Sequence, residues 1–127
     1  MKAAASFGLA LLLASCSTRS SADRLVGTWE ATSEPLVRVT YAADGTWQSS
    51  FTLDVDGASR EFRGHGTWKV QDGAIHNTTL AHDEIPGMEP IELPYLSVEK
   101  LVSVDESEYR YVCPVQNCTN TMRRVDG

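Results

Sequence analysis

From Leu25 onward the chain alternates apolar and polar residues in short stretches, and none of them carries the spacing of an amphipathic helix. The pattern is clearest over residues 46–55, where Trp47, Phe51, Leu53 and Val55 share one face and Thr46, Gln48, Ser50, Thr52 and Asp54 the other. Residues 58–71 repeat it, with Phe62, Trp68 and Val70 on the apolar side and Glu61, Arg63, Thr67 and Lys69 opposite. Asp44-Gly45, Asp56-Gly57 and Asp72-Gly73 punctuate these stretches, and Asp-Gly between alternating runs signals a β-hairpin. A two-residue turn at Asp56-Gly57 sets Val55 opposite Ala58 and Phe51 opposite Phe62, so both apolar faces fall on the same side of the sheet. At Asp44-Gly45 the same consistency requires a three-residue loop, with Tyr41 opposite Trp47, Val37 opposite Phe51 and Gly45 in the left-handed position.

Extending this reading predicts strands over residues 25–33, 35–42, 46–55, 58–71, 74–81, 95–104, 108–113 and 118–125. The fold class is therefore all-β. Eight strands in sequence form an antiparallel meander, which either closes into an up-and-down barrel or packs as a two-sheet sandwich. The tripeptide Gly-Thr-Trp recurs at residues 27–29, 45–47 and 66–68, a spacing close to one hairpin. Strand direction puts Trp29, Trp47 and Trp68 at one rim, and the last strand brings Arg123 or Arg124 to that rim if the barrel closes.

The segment before Leu25 is of another kind. Lys2 is followed by an apolar run from Ala3 to Ala14 and then small residues before Cys16, which has the organisation of an export signal. That run is too short to span a bilayer, which takes about 20 residues. Leu13-Ala14-Ser15-Cys16 resembles the lipobox of bacterial lipoproteins. The resemblance implies cleavage after Ser15, acylation of Cys16 and attachment to a membrane through that lipid. Residues 16–24 then read as a Ser-rich flexible tether and 25–127 as one domain. By resemblance to Gram-negative sorting rules, Ser17 in place of Asp implies delivery to the outer membrane, facing the periplasm. With Cys16 acylated, Cys113 and Cys118 remain as an even pair in an oxidising compartment and are expected to be bridged. The formal charge of −6 becomes −7 once Lys2 is removed, which disfavours nucleic acid as a partner.

Gly27-Thr28-Trp29 at the start of the first strand, with a late arginine able to cover the indole, resembles the lipocalin and lipocalin-like pattern. The resemblance implies that the Gly-x-Trp end is the closed floor of the barrel and that ligands enter at the other mouth. The chain lacks the Thr-Asp-Tyr motif of lipocalins and is shorter than typical members. Its interior is thus expected either to hold one small ligand or to be filled by its own side chains.

Under the first alternative, Phe51, Leu53, Val55, Phe62 and Val98 are the expected lining for an apolar small molecule or lipid. The connection from Ala81 to Pro94 lies at the mouth, where Ile85, Met88 and Ile91 could form a lid or a protein contact. A second reading makes this acidic loop and the tip 114–117 the contact of a periplasmic protein-binding module, such as an enzyme inhibitor or immunity lipoprotein. A third treats the domain as an envelope spacer. His65 and His82, as diagonal neighbours beside Asp83 and Glu84, are the best metal constellation but fall short of three or four converging ligands, so no metal or other cofactor is expected. No catalytic motif stands out, and no enzymatic activity is expected.

Overall fold

The computed structural model describes residues 20–114 and 118–125. Eight strands close into one antiparallel barrel in sequence order: β1 (Gly27–Ala31), β2 (Arg38–Tyr41), β3 (Thr46–Val55), β4 (Ala58–Gln71), β5 (Ala74–His82), β6 (Tyr95–Val104), β7 (Glu108–Val112) and β8 (Thr119–Arg124). Each strand pairs with its neighbours in the chain, and β8 returns to β1 through Trp29↔Arg124 and Glu30↔Arg123. Closure leaves no strand edge along the sheet order, and it excludes the two-sheet sandwich.

The registers follow the turn chemistry. At Asp56-Gly57 both central residues have positive φ, 52° and 81°, as a two-residue type I′ hairpin requires, and Val55↔Ala58 and Phe51↔Phe62 are partners. At the preceding turn, Ala42 N–H donates to Thr46 O, enclosing the three residues 43–45 and pairing Tyr41 with Trp47. The β2–β3 ladder stops at Arg38↔Ser50, one residue short of the expected Val37–Phe51 pair.

Ordered structure starts earlier than Leu25. Ser21–Leu25 form a short helix, α1, with Ser20 Oγ capping its start by accepting from Asp23 N–H at 3.1 Å. The reading of residues 16–24 as tether therefore fails over 21–24, because Leu25 is completely buried and draws the preceding turn against the barrel. Every strand pairing and core contact described lies within residues 20–125, all of which a chain of residues 17–127 contains.

One end of the barrel is solid. Leu25, Trp29, Val39, Tyr41, Trp47, Trp68, Ile75, Tyr109 and Met122 form one buried cluster. Trp29 meets Tyr109 edge-on at 4.9 Å between ring centroids, and its indole N–H donates to Leu25 O at 2.8 Å. Arg124 lies over the indole, with Cζ 4.2 Å from the ring centroid. Its guanidinium also donates to Arg24 O, Val26 O and Glu106 O, at 2.7, 3.1 and 2.7 Å, and so ties the end of α1 to β8. Gly27 explains the first residue of the Gly-x-Trp motif: a Cβ there would lie 2.3 Å from Arg124 Nη1, and its φ of +141° is one that L side chains rarely adopt. Arg123, the other candidate for covering the indole, points away from the barrel and sits 3.7 Å from Glu30 on the surface, because adjacent strand residues face opposite sides.

Candidate functional site

Beyond the solid end the inward side chains become small or polar at one level. Trp47 on β3 is followed inward by Ser49, Phe62 on β4 is followed by Gly64 and Gly66, and Ile75 on β5 is followed by Asn77 and Thr79. Ser97 on β6 completes the level, paired with Asn77. At Gly66 a Cβ would lie 1.8 Å from Thr78 O and 2.9 Å from the Trp47 indole nitrogen, so a side chain is excluded where β4 and β5 shift register. A layer that would fill a packed barrel with branched apolar groups is hollow here.

The hollow has two adjoining parts. The outer part, about 740 Å³ and open to solvent on one side, is a cleft between the β3–β5 wall, with Trp47, Ser49, Phe51, Phe62 and Thr79, and the loop from Asp83 to Ile91. The inner part, about 370 Å³, shares Trp47, Ser49, Thr79 and Ile91 with it and reaches Tyr41, Asn77, Glu99, Tyr109 and Tyr111. Phe51 and Phe62 stack at 5.7 Å between centroids, and Arg60 lies over Phe62. The loop is clipped to β4 by a reciprocal pair: Asp83 N–H donates to Arg63 O at 2.8 Å, and Arg63 N–H donates to Asp83 Oδ2 at 2.9 Å. Past Asp83 the loop holds a turn, Met88 N–H to Ile85 O, and exposes Met88 and Ile91.

The deep end is polar. Asn77 Nδ2 donates to Glu99 Oε1 at 3.0 Å, while Asn77 Oδ1 and the Trp47 indole N–H are buried without a protein partner. Burial pushes the Glu99 carboxyl up to about 7, opposed by the Asn77 hydrogen bond. Burial also raises the Tyr41, Tyr109 and Tyr111 hydroxyls, and the neighbouring Glu99 charge adds to it, so all three stay protonated at neutral pH. Among the described residues no lysine or arginine lines this part.

Of the five expected lining residues the structure brings Phe51 and Phe62 to the cavity. Leu53 and Val55 stand elsewhere, because the β3–β4 hairpin runs on past the last rungs of β2 and β5, at Ser50 and Gly64, as a two-stranded projection. Val98 is on the outer surface and 44% exposed. Over residues 96–99 of β6 hydrophobicity and burial are inverted: Leu96 and Val98 face outward, while Ser97 and Glu99 face the interior. Glu99 was missed for that reason, and with it Asn77, its partner on β5. The available signal was the register itself, since a β6 strand paired antiparallel with β5 carries Glu99 opposite the deeply buried Ile75.

Cys113 and Cys118 are bridged, with Cα atoms 5.2 Å apart at the base of the β7–β8 hairpin. The rest of that tip, residues 115–117, lies outside the described residues, as do Cys16 and the export segment. His65 and His82 are not neighbours on one face. The register shift between His65 and Gly66 leaves His65 outside and sets His82 opposite Gly64, at the cavity wall.

The architecture is that of a lipocalin-like barrel: eight antiparallel strands, a floor closed by a Trp–Arg pair, and an opening at the other end. Among solved structures the chain is similar to a lipocalin-like protein from Bacteroides uniformis, at 15% identity and a TM-score of 0.54, over 80% of this chain and 99% of that one. At that identity the likeness is one of fold. No protein-family model matches the chain, and no curated protein matches it.

Proposed function

We propose that this domain binds a small, largely apolar molecule, such as a single lipid, inside the barrel, and does so at a membrane to which acylated Cys16 tethers it. The observation that carries the reading is the hollow level of Ser49, Gly64, Gly66 and Thr79 beside the loop of residues 83–91, opening a cavity of about 740 Å³. That volume is in the range that holds a drug-sized ligand, about 300–1,000 Å³. The loop that could have served as a protein contact borders this cavity through Ile85, Met88 and Ile91, which supports a lid role. A likeness of fold to a lipocalin-like protein supports the same reading.

Trp47 supplies the assay, since it lines both parts of the cavity whereas Trp29 and Trp68 line neither. A brominated alkyl alcohol added to residues 17–127 should quench part of the tryptophan emission saturably, and Trp47→Phe should abolish the saturable part. Quenching that rises linearly with probe, or that survives Trp47→Phe, would refute uptake into the interior. Membrane attachment is tested separately: Cys16→Ser in the full chain should release the protein from the membrane fraction, and unchanged sedimentation with membranes would remove the lipid anchor.

A further inference from the structure

The chemistry of the deep end narrows the ligand, given that the carrier reading holds. Glu99 is a carboxylate turned into a barrel with no described basic side chain beside it, and its one hydrogen-bond donor is the Asn77 amide. A buried anion of this kind is costly unless a cation or further donors meet it. Asn77 Oδ1, beside it, is a second buried acceptor without a partner. Around them stand the rings of Tyr41, Tyr109 and Tyr111, with Tyr41 and Tyr109 6.4 Å apart and Tyr109 and Tyr111 5.9 Å apart between centroids. Carboxylate, amide oxygen and clustered aromatic rings are groups that suit a cationic nitrogen, which donates to the oxygens and is attracted by aromatic rings. Towards the mouth the walls change to Phe51, Phe62, Ile85 and Ile91.

We propose that the ligand is an amphipathic amine, with its ammonium group held at Glu99 and Asn77 and its apolar body extending past Phe51 and Phe62 to the lid. A fatty acid in the same orientation would set its carboxylate against Glu99. The carrier thus selects against anionic amphiphiles of the same length. Proton linkage follows. The amide and titratable groups that line the inner part with Glu99 are Asn77 on β5, Tyr41 on β2, Tyr95 on β6, and Tyr109 and Tyr111 on β7; burial keeps Tyr41, Tyr109 and Tyr111 neutral, and Glu99 is the one carboxyl among the described lining residues. The titratable groups Arg60, Arg63, His82, Asp83, Glu84 and Glu89 line the outer part.

The test is calorimetric titration of residues 17–127 with octylammonium, octanol and octanoate, which share one chain and differ in the head group. At pH 8 octylammonium should bind about tenfold or more tighter than octanol, and octanoate weakest. With Glu99 titrating near 7, octylammonium affinity should fall about tenfold between pH 8 and pH 6, while octanol affinity stays level. Glu99→Gln should bring octylammonium to within about threefold of octanol and remove the pH dependence. Should that variant fail to fold, the pH dependence of the unmodified chain still decides. Octanol or octanoate binding as tightly as octylammonium at pH 8 would overturn the amine assignment and leave the carrier standing. Failure of all three to bind would overturn the carrier reading itself, and the assignment with it.

Discussion

Replacing Arg124 by alanine tests how the floor of the barrel is held. The side chain covers the Trp29 indole and donates to three main-chain carbonyls. The cation–π contact contributes about 0.5–2 kcal/mol. Hydrogen bonds from a charged donor contribute about 1.5–3 kcal/mol each when buried, and less here because Arg124 is only half-buried. The expected loss is about 3 kcal/mol, or on the order of 15 °C in Tm for a domain of this size. Gly27→Ala should cost a similar amount by another route. Its Cβ would displace the guanidinium, and the φ of +141° adds about 1–3 kcal/mol of strain. The two costs share one component. Once Arg124 is gone, the added methyl group meets nothing but strain, so the double variant should be less damaged than the sum of the singles by about 2 kcal/mol. Urea denaturation followed by tryptophan fluorescence, with the disulfide intact, measures all four corners of the cycle. Additivity within about 0.5 kcal/mol would refute the claim that Gly27 is glycine to make room for Arg124.

Further predictions concern the wall, the surface and the charges. Phe51→Trp should change stability by less than about 0.5 kcal/mol, because the larger ring enters open space; a loss of about 1–3 kcal/mol on urea denaturation would mean that the interior is packed. Val98→Lys should be tolerated within about 0.5 kcal/mol, since the side chain faces outward, and a large loss would contradict the inverted β6. Reducing the Cys113–Cys118 bridge should cost about 2 kcal/mol, as expected for so short a closed loop, and calorimetry with and without reductant reads it. Because folded Glu99 keeps its proton up to about pH 7 while the unfolded chain releases it near 4.5, its contribution to stability falls as pH rises through that window. Glu99→Gln should therefore gain stability relative to the unmodified chain between pH 5 and pH 8, and a constant difference would refute the buried carboxyl. Asp44 and Asp105 act oppositely: hydrogen bonds, from Thr46 to Asp44 and from the Glu108 and Ser107 N–H groups to Asp105, hold both carboxyls below the usual range. Their contribution is present above the unfolded value near 3.8 and is lost as pH falls through the folded one.

The barrel was legible in the chain wherever turn chemistry and alternation agreed. Asp56-Gly57 set the register of β3 against β4, and the strand count, the three-tryptophan end and the long loop over the mouth followed from direction alone. Three features were hidden for physical reasons. Leu53 and Val55 continue a correct apolar face, but alternation says nothing about how far the neighbouring strands run, and here they stop short. On β6 both faces carry apolar residues, so hydrophobicity chose the outer one and passed over Glu99. The choice between Arg123 and Arg124 turned on one residue of register at a closure formed by the two ends of the chain, which no local pattern could decide. Cavities leave a weak trace, because small inward residues such as Ser49, Gly64 and Ser97 read as gaps in a pattern rather than as walls.

An occupied carrier and a closed core differ in what the purified barrel weighs. Native mass spectrometry of residues 17–127, secreted into an oxidising periplasm and purified gently, reads that difference most directly. A carrier should show a population heavier than the chain by roughly the mass of one lipid, with the extra mass lost on solvent extraction and restored by adding the extract back. A chain found only at its own mass, and unchanged when the envelope lipid extract is added, would contradict the carrier reading.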